Sequence, residues 1–357
     1  MAFIKLYRDK LKHNYTYLEK LFKKNNIDWG VVTKLLCGNK IYIKELIDLG
    51  VREMLDTRIS NIKTIKALNP DIQTVYIKPP AKRSIANVIK YADISFNTEF
   101  YSIQLLSKEA VAQNKKHKVI IMVEMGDLRE GVMGDQLIDF YEQVFQLPNI
   151  EIIGIGTNLN CLNGVMPNQD KLIQLCLYKQ LINLKFKRDI PWISGGTSVT
   201  LSLLLKKQIP QGVNHFRIGE ALFFGNDLFT GQPFKGMKTD VLKLFAEVIE
   251  LYEKPLTPSG EQGENVAGYI PEYNPDDYGK SSFRAILDIG LLDINPAFLL
   301  PEDEHVKIIE ASSDMLVLDL GANESGYKTG DLVSFKLRYM GALGLMNSNY
   351  IEKHVSD

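Results

Sequence analysis

Apolar residues along this chain fall into short runs of two kinds. In "RDKLKHNYTYLEKLFKKNN" (8–26), Leu11, Tyr15, Leu18 and Phe22 recur at helical spacing, which predicts a helix. Beyond it, compact apolar runs without that period alternate with helix-like segments. The first strand candidates are "DWGVVTK" (28–34), "VREMLDT" (51–57), "TVYIKPP" (74–80) and "ADISFNT" (92–98). "HKVIIMVEMGD" (117–127), "NIEIIGIGTNL" (149–159), "IPWISGG" (190–196) and "VNHFRIGEALFFG" (213–225) continue the series. Between them lie segments such as "IYIKELIDLG", "FYSIQLLSKEAVAQN" and "QDKLIQLCLYKQLINLK". Strict alternation implies right-handed crossovers and a parallel sheet covered on both faces. A doubly wound open sheet satisfies the same alternation, but eight units are the count that closes a (β/α)8 barrel. The expected fold is therefore α/β, a TIM-type barrel.

After about residue 238 the pattern changes. "VLKLFAEVIELYEK" (241–254) fits a long strand or a short helix equally well. "FRAILDIG", "HVKIIEA", "DMLVLDL" and "DLVSFKLRY" are β-rich runs bounded by turn residues. The connector 255–282 is rich in Pro, Gly, Asp and Tyr. The expected organisation is a barrel over 9–238 followed by an all-β domain over 239–357.

Composition narrows the function classes. The 357 residues carry 42 basic and 43 acidic side chains, a net charge of -1. That balance gives no electrostatic case for nucleic acid or an anionic membrane as partner. Three cysteines, Cys37, Cys161 and Cys176, are too scattered for a disulfide framework or a Cys-rich zinc site. The N-terminus lacks an apolar secretory core, and no run of about 18 apolar residues occurs, so the expected compartment is the cytoplasm. The five histidines show no metal-ligand spacing, and no metal is expected.

Barrel chemistry takes place where the strands' C-terminal ends meet. Lys34 closes the first predicted strand and is the sole charged residue between Asp28 and Lys40. At a strand end a lysine often buries its stem and keeps its head in water. Held near neutrality in a barrel mouth, the same amine can form a Schiff base with an aldehyde. A phosphate-bearing aldehyde cofactor would leave a second mark. "SGGTS" (194–198) follows the seventh strand and "RIGEALFFG" (217–225) overlaps the eighth, the loops that bind phosphate in many barrels. Gly195 and Gly196 allow close backbone approach, while Thr197 and Ser198 add hydroxyls. The glycines of "GIGTNL" (154–159) lie within a strand and fit no dinucleotide fingerprint. Arg129 and Arg217 also lie near strand ends, where the simplest partners are Glu124 and Glu220.

Taken together, these residues resemble the alanine racemase family of pyridoxal-phosphate enzymes, in particular its alanine/ornithine racemase branch, over nearly the whole chain. "FIKLYRDKLKHNYTYL" resembles the family's opening strand and helix, with Leu11, His13 and Asn14 in matching places, so residues 1–8 would join the second domain. "VVTK" resembles the strand whose lysine carries the cofactor, which implies that role for Lys34. "VEMGDLR" is similar to the family's V-D-T-G-x-G-R segment and implies that Arg129 lies near the cofactor and substrate. "FRIGEALFFG" is similar to R-x-G-x-x-L-Y-G and implies Arg217 as partner of the pyridine nitrogen. Phosphate contacts then fall on the Gly195–Ser198 loop and on the backbone of Gly219 and Glu220, and Asn158 joins the cofactor set. "ASSDMLVLD" resembles the segment that seats the substrate carboxylate across a dimer interface, here Ser313 and Asp314.

The resemblance implies a pyridoxal 5'-phosphate-dependent racemase acting by two-base proton transfer at Cα, a homodimer with shared active sites. Lys34 is one base. The family's second base is a tyrosine in V-S-Y-G; here "NVAGYIPEY" puts Ala267 at that place, and Tyr269 becomes the candidate, with Tyr273 and Tyr278 behind it. Met122 replaces a lysine that alanine racemases often carry carbamylated, leaving Glu124 to orient Arg129. Cys37 lies near the family's phosphate-binding tyrosine. These departures, with the acidic linker residues Glu272, Asp276 and Asp277, point to a basic substrate such as ornithine rather than alanine alone. A broad-specificity racemase, a non-catalytic cofactor carrier, and a decarboxylase or aldolase on the same barrel are the competing readings. The β domain argues against the carrier, and Arg217 argues against the decarboxylase.

Overall fold

The structure is a computed structural model that describes residues 2–265 and 268–357. It divides into two compact units, Asp9–Thr239 and Met1–Arg8 with Asp240–Asp357. The opening strand β1 (Phe3–Tyr7) thus lies in the second unit, and the helix Arg8–Lys24 leads into the first.

The first unit is the barrel. Its strands are β2 (Asp28–Val32), β3 (Glu53–Asp56), β4 (Gln73–Tyr76), β5 (Ile94–Asn97) and β6 (His117–Met122). They continue as β7 (Ile150–Gly156), β8 (Trp192–Ser194), β9 (Gly196–Thr197) and β10 (His215–Ile218). All pair in parallel, in the order β8-β7-β6-β5-β4-β3-β2-β10-β9. β8 and β9 are one strand interrupted at Gly195. The first half bonds to β7 and the second to β10, so the sheet returns on itself as an eight-stranded barrel. A Cβ on Gly196 would stand 2.2 Å from the Phe216 ring, and this close approach to β10 explains the glycine.

Each strand candidate of the sequence corresponds to a barrel strand, but shorter. The stretch 213–225 contains β10 and then, beyond Gly219, the short helix Glu220–Phe224. Its run "ALFF" is apolar because the helix is buried, and a short buried helix and a buried strand look alike in sequence. Two apolar layers hold the wall. Inside, Leu55, Val75, Phe96, Ile120 and Met122 pack together; outside, Ile62, Tyr76, Val88 and Leu106 join sheet to helices. Asn14 fastens the opening helix: its Nδ2 donates to Leu222 O (3.0 Å) and Lys238 O (2.8 Å), and its Oδ1 accepts from Lys238 N (2.7 Å).

The second unit is an antiparallel sheet around the long strand β11 (Leu242–Pro255), which resolves the strand-or-helix ambiguity of 241–254. β12 (Ser281–Leu287), β13 (Leu299–Pro301), β14 (Lys307–Ala311), β15 (Leu316–Asp319) and β16 (Leu332–Leu337) follow, in the order β13-β16-β11-β12-β15-β14. β1 pairs antiparallel with β11 and parallel with β17 (Glu352–Ser356). No helix among the described residues is long and apolar enough to cross a membrane.

His117, at the start of β6, is buried with its Nε2 2.8 Å from Ser95 Oγ. Burial lowers its pKa from the ordinary 6.5 to about 4. The unfolded chain therefore takes up this proton first as the medium is acidified. Stability is full above pH 6.5 and falls toward pH 4, by about 3 kcal/mol in total from this group. Melting curves of the wild type and His117→Gln across that window should differ in slope, with the variant losing less; equal slopes contradict the assignment.

Candidate functional site

The C-terminal ends of the strands gather most of the residues singled out above. β2 stops at Val32, two residues earlier than the sequence suggests. Thr33 then starts a short 3-10 turn whose first residue is Lys34, part-buried. Thr33 is fixed against β3: its amide donates to Leu55 O (2.8 Å), and its hydroxyl to Asp56 Oδ2 (2.8 Å) and more weakly to Leu55 O (3.3 Å). Asp56 is fully buried, and its Oδ1 accepts from Arg58 N (2.9 Å) and Asn61 Nδ2 (3.1 Å). Burial raises the Asp56 pKa, while these donors oppose the rise. These bonds tie the turn that carries Lys34 to β3.

Arg217 lies on β10, next to β2, and is 5% exposed. Its Nη1 donates to the carbonyl and the hydroxyl of Ser194 (2.7 Å each), and its Nη2 to Thr157 O (2.8 Å). The guanidinium also sits 5.3 Å from the Phe96 ring centroid. Glu220 is not its partner. Burial pushes the Arg217 pKa down to about 10, leaving it charged at neutral pH. Glu220 instead feels Lys34, whose charge opposes the upward push of burial on the carboxyl.

The loop Gly195–Ser198 meets the turn at Gly219. Ser198 Oγ accepts from the amides of Ala221 (3.1 Å) and Gly219 (3.4 Å). Thr197 caps the turn that follows, and its amide donates to Thr200 Oγ1 (3.2 Å). Asn158, beyond β7, is the one predicted site residue with an orphan atom: its buried Nδ2 has no partner among the described residues.

Arg129 stands in the loop after β6, and its carboxylate is Glu130, not Glu124. Nε and Nη2 of Arg129 both donate to Glu130, a two-pronged bond that holds its pKa above the usual range. Cys161 lies close by. Glu124 folds onto its own loop, accepting from Gly126 N (2.5 Å) and Leu128 N (3.0 Å). Asp127, buried, accepts from the amides of Leu162 (3.0 Å) and Asn163 (3.1 Å) and so ties this loop to the one after β7. Met122 belongs to the inner apolar layer, and Cys37 Sγ approaches Lys34 O (3.7 Å).

Three predicted residues belong to the other unit. Tyr269 is 44% exposed and donates to Glu310, while Ser313 Oγ donates to Asp314 Oδ2 (2.9 Å) on an exposed turn. Tyr273 and Tyr278 are exposed as well. Ala267 lies outside the described residues.

Residues 6–227 match the family described as alanine racemase, N-terminal domain. This chain belongs to that family. Among curated proteins, it is 37% identical over 348 residues to ornithine racemase of Acetoanaerobium sticklandii, covering 97% of each chain. It is 29% identical over 347 residues to lysine racemase of Thermotoga maritima, covering 96% of this chain and 95% of that one. Among solved structures, the alanine racemase of Bartonella henselae with covalently bound pyridoxal phosphate superposes with a TM-score of 0.74 at 15% identity, covering 99% of each chain. Within this alanine racemase fold, Asp56 behind the Lys34 turn, Glu130 on Arg129 and the Thr157 carbonyl on Arg217 went unnoticed in the sequence. Asp56 and Thr157 lie far along the chain from the residues they bond, and the folded barrel brings each pair together.

Asp56→Ala would strand the buried donors of Thr33, Arg58 and Asn61. Chemical denaturation should show a loss of about 3 kcal/mol. A loss under about 0.5 kcal/mol, the range of ordinary surface substitutions, would contradict the role given to this carboxylate.

Proposed function

We infer that this protein is a cytoplasmic, pyridoxal-phosphate-dependent racemase that interconverts L- and D-ornithine as a homodimer. The observation that carries the reading is the likeness to ornithine racemase, 37% identity across 97% of both chains. The barrel mouth suits the cofactor. It offers an amine at a strand end, a buried guanidinium, the Ser198 hydroxyl held by the amides of Gly219 and Ala221, and an orphan amide nitrogen on Asn158.

When bound, pyridoxal phosphate supplies an aldehyde for the substrate's amino group and a ring that spreads the charge left at Cα. Lys34 holds the cofactor through Nζ and then moves the Cα proton on one face of the substrate. Gly195, Gly196, Thr197, Ser198 and the backbone of Gly219 and Glu220 would hold the phosphate, and Asn158 would give its free donor to the cofactor. Arg217 would serve as the partner of the pyridine nitrogen and would disfavour its protonation, because a second cation beside a buried guanidinium is unfavourable. Arg129, held by Glu130, fixes the bound pair from the loop after β6.

Inversion needs a proton carrier on the opposite face, and Tyr269 of a second copy of the chain is the assigned acid, with Tyr273 and Tyr278 next in line. Ser313 and Asp314 of that copy seat the substrate carboxylate. The exposure of these residues supports a partner-facing role. The carboxylates Glu272, Asp276 and Asp277 supply a counter-charge for a cationic side chain.

Two measurements test this reading. Purified protein given the cofactor should show a visible absorbance band, and borohydride should fix it to Lys34. Lys34→Ala should lose both the band and at least about a thousandfold in turnover. Racemisation of ornithine, lysine, alanine and serine should then rank ornithine first; equal or faster turnover of alanine would remove the substrate assignment.

A further inference from the structure

We propose that Glu53 and His215 are positioning residues for Arg217, joined to it through Ser194 by one line of hydrogen bonds inside the barrel. The proposal rests on the function inferred above. His215 and Arg217 are two residues apart on β10, so both side chains point the same way, into the barrel. His215 Nε2 lies 2.9 Å from Glu53 Oε1, at the start of β3, and His215 Nδ1 lies 2.7 Å from Ser194 Oγ. Ser194 Oγ in turn accepts from Arg217 Nη1 at 2.7 Å. Gln73 donates to the other Glu53 oxygen. The line thus runs from the strands' N-terminal ends to the guanidinium at the site.

The path is built for burial. His215 and Ser194 are fully buried, and Glu53 is 7% exposed. The Trp192 ring lies flat on the imidazole, 4.3 Å away and 11° from parallel. Trp192 also lines, with Trp29 and Glu53, a cavity of about 810 Å³ that His215 does not line. Gly30 makes room: a Cβ there would stand 2.4 Å from Glu53 Oε1. A carboxylate held in place by a missing side chain, an imidazole and an amide is costly to bury unless it has a charge to answer. Arg217 is that charge. Its own donors end on neutral oxygens of Ser194 and Thr157, and Glu53 reaches it through two intermediaries.

The line also has a direction. A carboxylate oxygen only accepts, so Nε2 of His215 carries the ring proton and Nδ1 is left as an acceptor. The Ser194 hydroxyl must donate to Nδ1, which turns its lone pairs toward Arg217 Nη1. Glu53 thereby fixes, from the far end of the barrel, which way the hydroxyl behind the guanidinium points. Glu53→Gln keeps the size but removes the charge and lets an NH2 group face Nε2. The ring proton then moves to Nδ1, and Ser194 loses the acceptor that oriented it.

The test combines one variant with a measurement on the unsubstituted chain. In the loaded enzyme, Glu53→Gln should lower kcat for ornithine by roughly tenfold or more while KM stays within about twofold. The bound-cofactor absorbance should shift, and the melting temperature should change little. Unchanged kcat and absorbance in a folded variant, or a loss confined to melting temperature, would overturn the proposal. Nitrogen NMR of histidine-labelled protein without cofactor gives a second readout. His215 should carry its proton on Nε2 in the wild type and on Nδ1 in Glu53→Gln. A wild-type proton on Nδ1 would overturn the proposal even if the variant did not fold. If the wild type binds no cofactor, the functional reading fails, and the NMR result still decides the line.

Discussion

A guanidinium is buried in the middle of this barrel, and the rest of the site is arranged around the cost of putting it there. Arg217 is nearly free of water, so its terminal nitrogens lean on oxygens supplied by protein. Those oxygens come from the ends of β7 and β8, which reach it only because the sheet closes through β8 and β9. Closure also brings β10 beside β2, so that the cation stands near the turn carrying Lys34. Fold and site therefore share one condition: if the ring did not close, Arg217 would lose its partners and Lys34 its neighbour.

Much of this was legible in the sequence because parallel strands buried on both faces leave compact apolar runs, and eight of them are hard to mistake. Lys34 stood out as a lone charge at such a run's end, and "SGGTS" as a glycine pair between hydroxyls after the seventh strand. The strand ends were overextended wherever an apolar turn or short helix followed, as after Ile218 and after Met122. The helix Tyr339–Asn347 went unseen because two glycines in "YMGALGLMN" weaken the helical signal. β17 was missed because "EKHVS" at the chain's end is polar.

The site was legible in its cations and not in its anions. Lysine and arginine at strand ends are conspicuous, whereas a buried carboxylate such as Glu53 or Asp56 sits in an unremarkable stretch far away in sequence. His215 had been set aside for lacking metal spacing, although its place two residues before Arg217 on one strand already put both side chains on the inner face. Glu124 was the acid expected to orient Arg129 once Met122 replaced the family's lysine, but Glu124 is used up by its own loop's amides, and the adjacent Glu130 takes the guanidinium. With Met122 in the inner apolar layer, the negative charge beside Arg129 comes from a neighbour in the same loop.

The central claim is that this chain moves the Cα proton of an amino acid, with the Lys34 amine on one face. The most direct measurement is the fate of that hydrogen in heavy water. Incubation of the loaded enzyme with L-ornithine, followed by mass spectrometry of the separated enantiomers, should show deuterium at Cα in the D-product and, with time, in the recovered L-substrate. Ornithine recovered with its Cα hydrogen untouched, from enzyme that visibly binds the cofactor, would contradict the account.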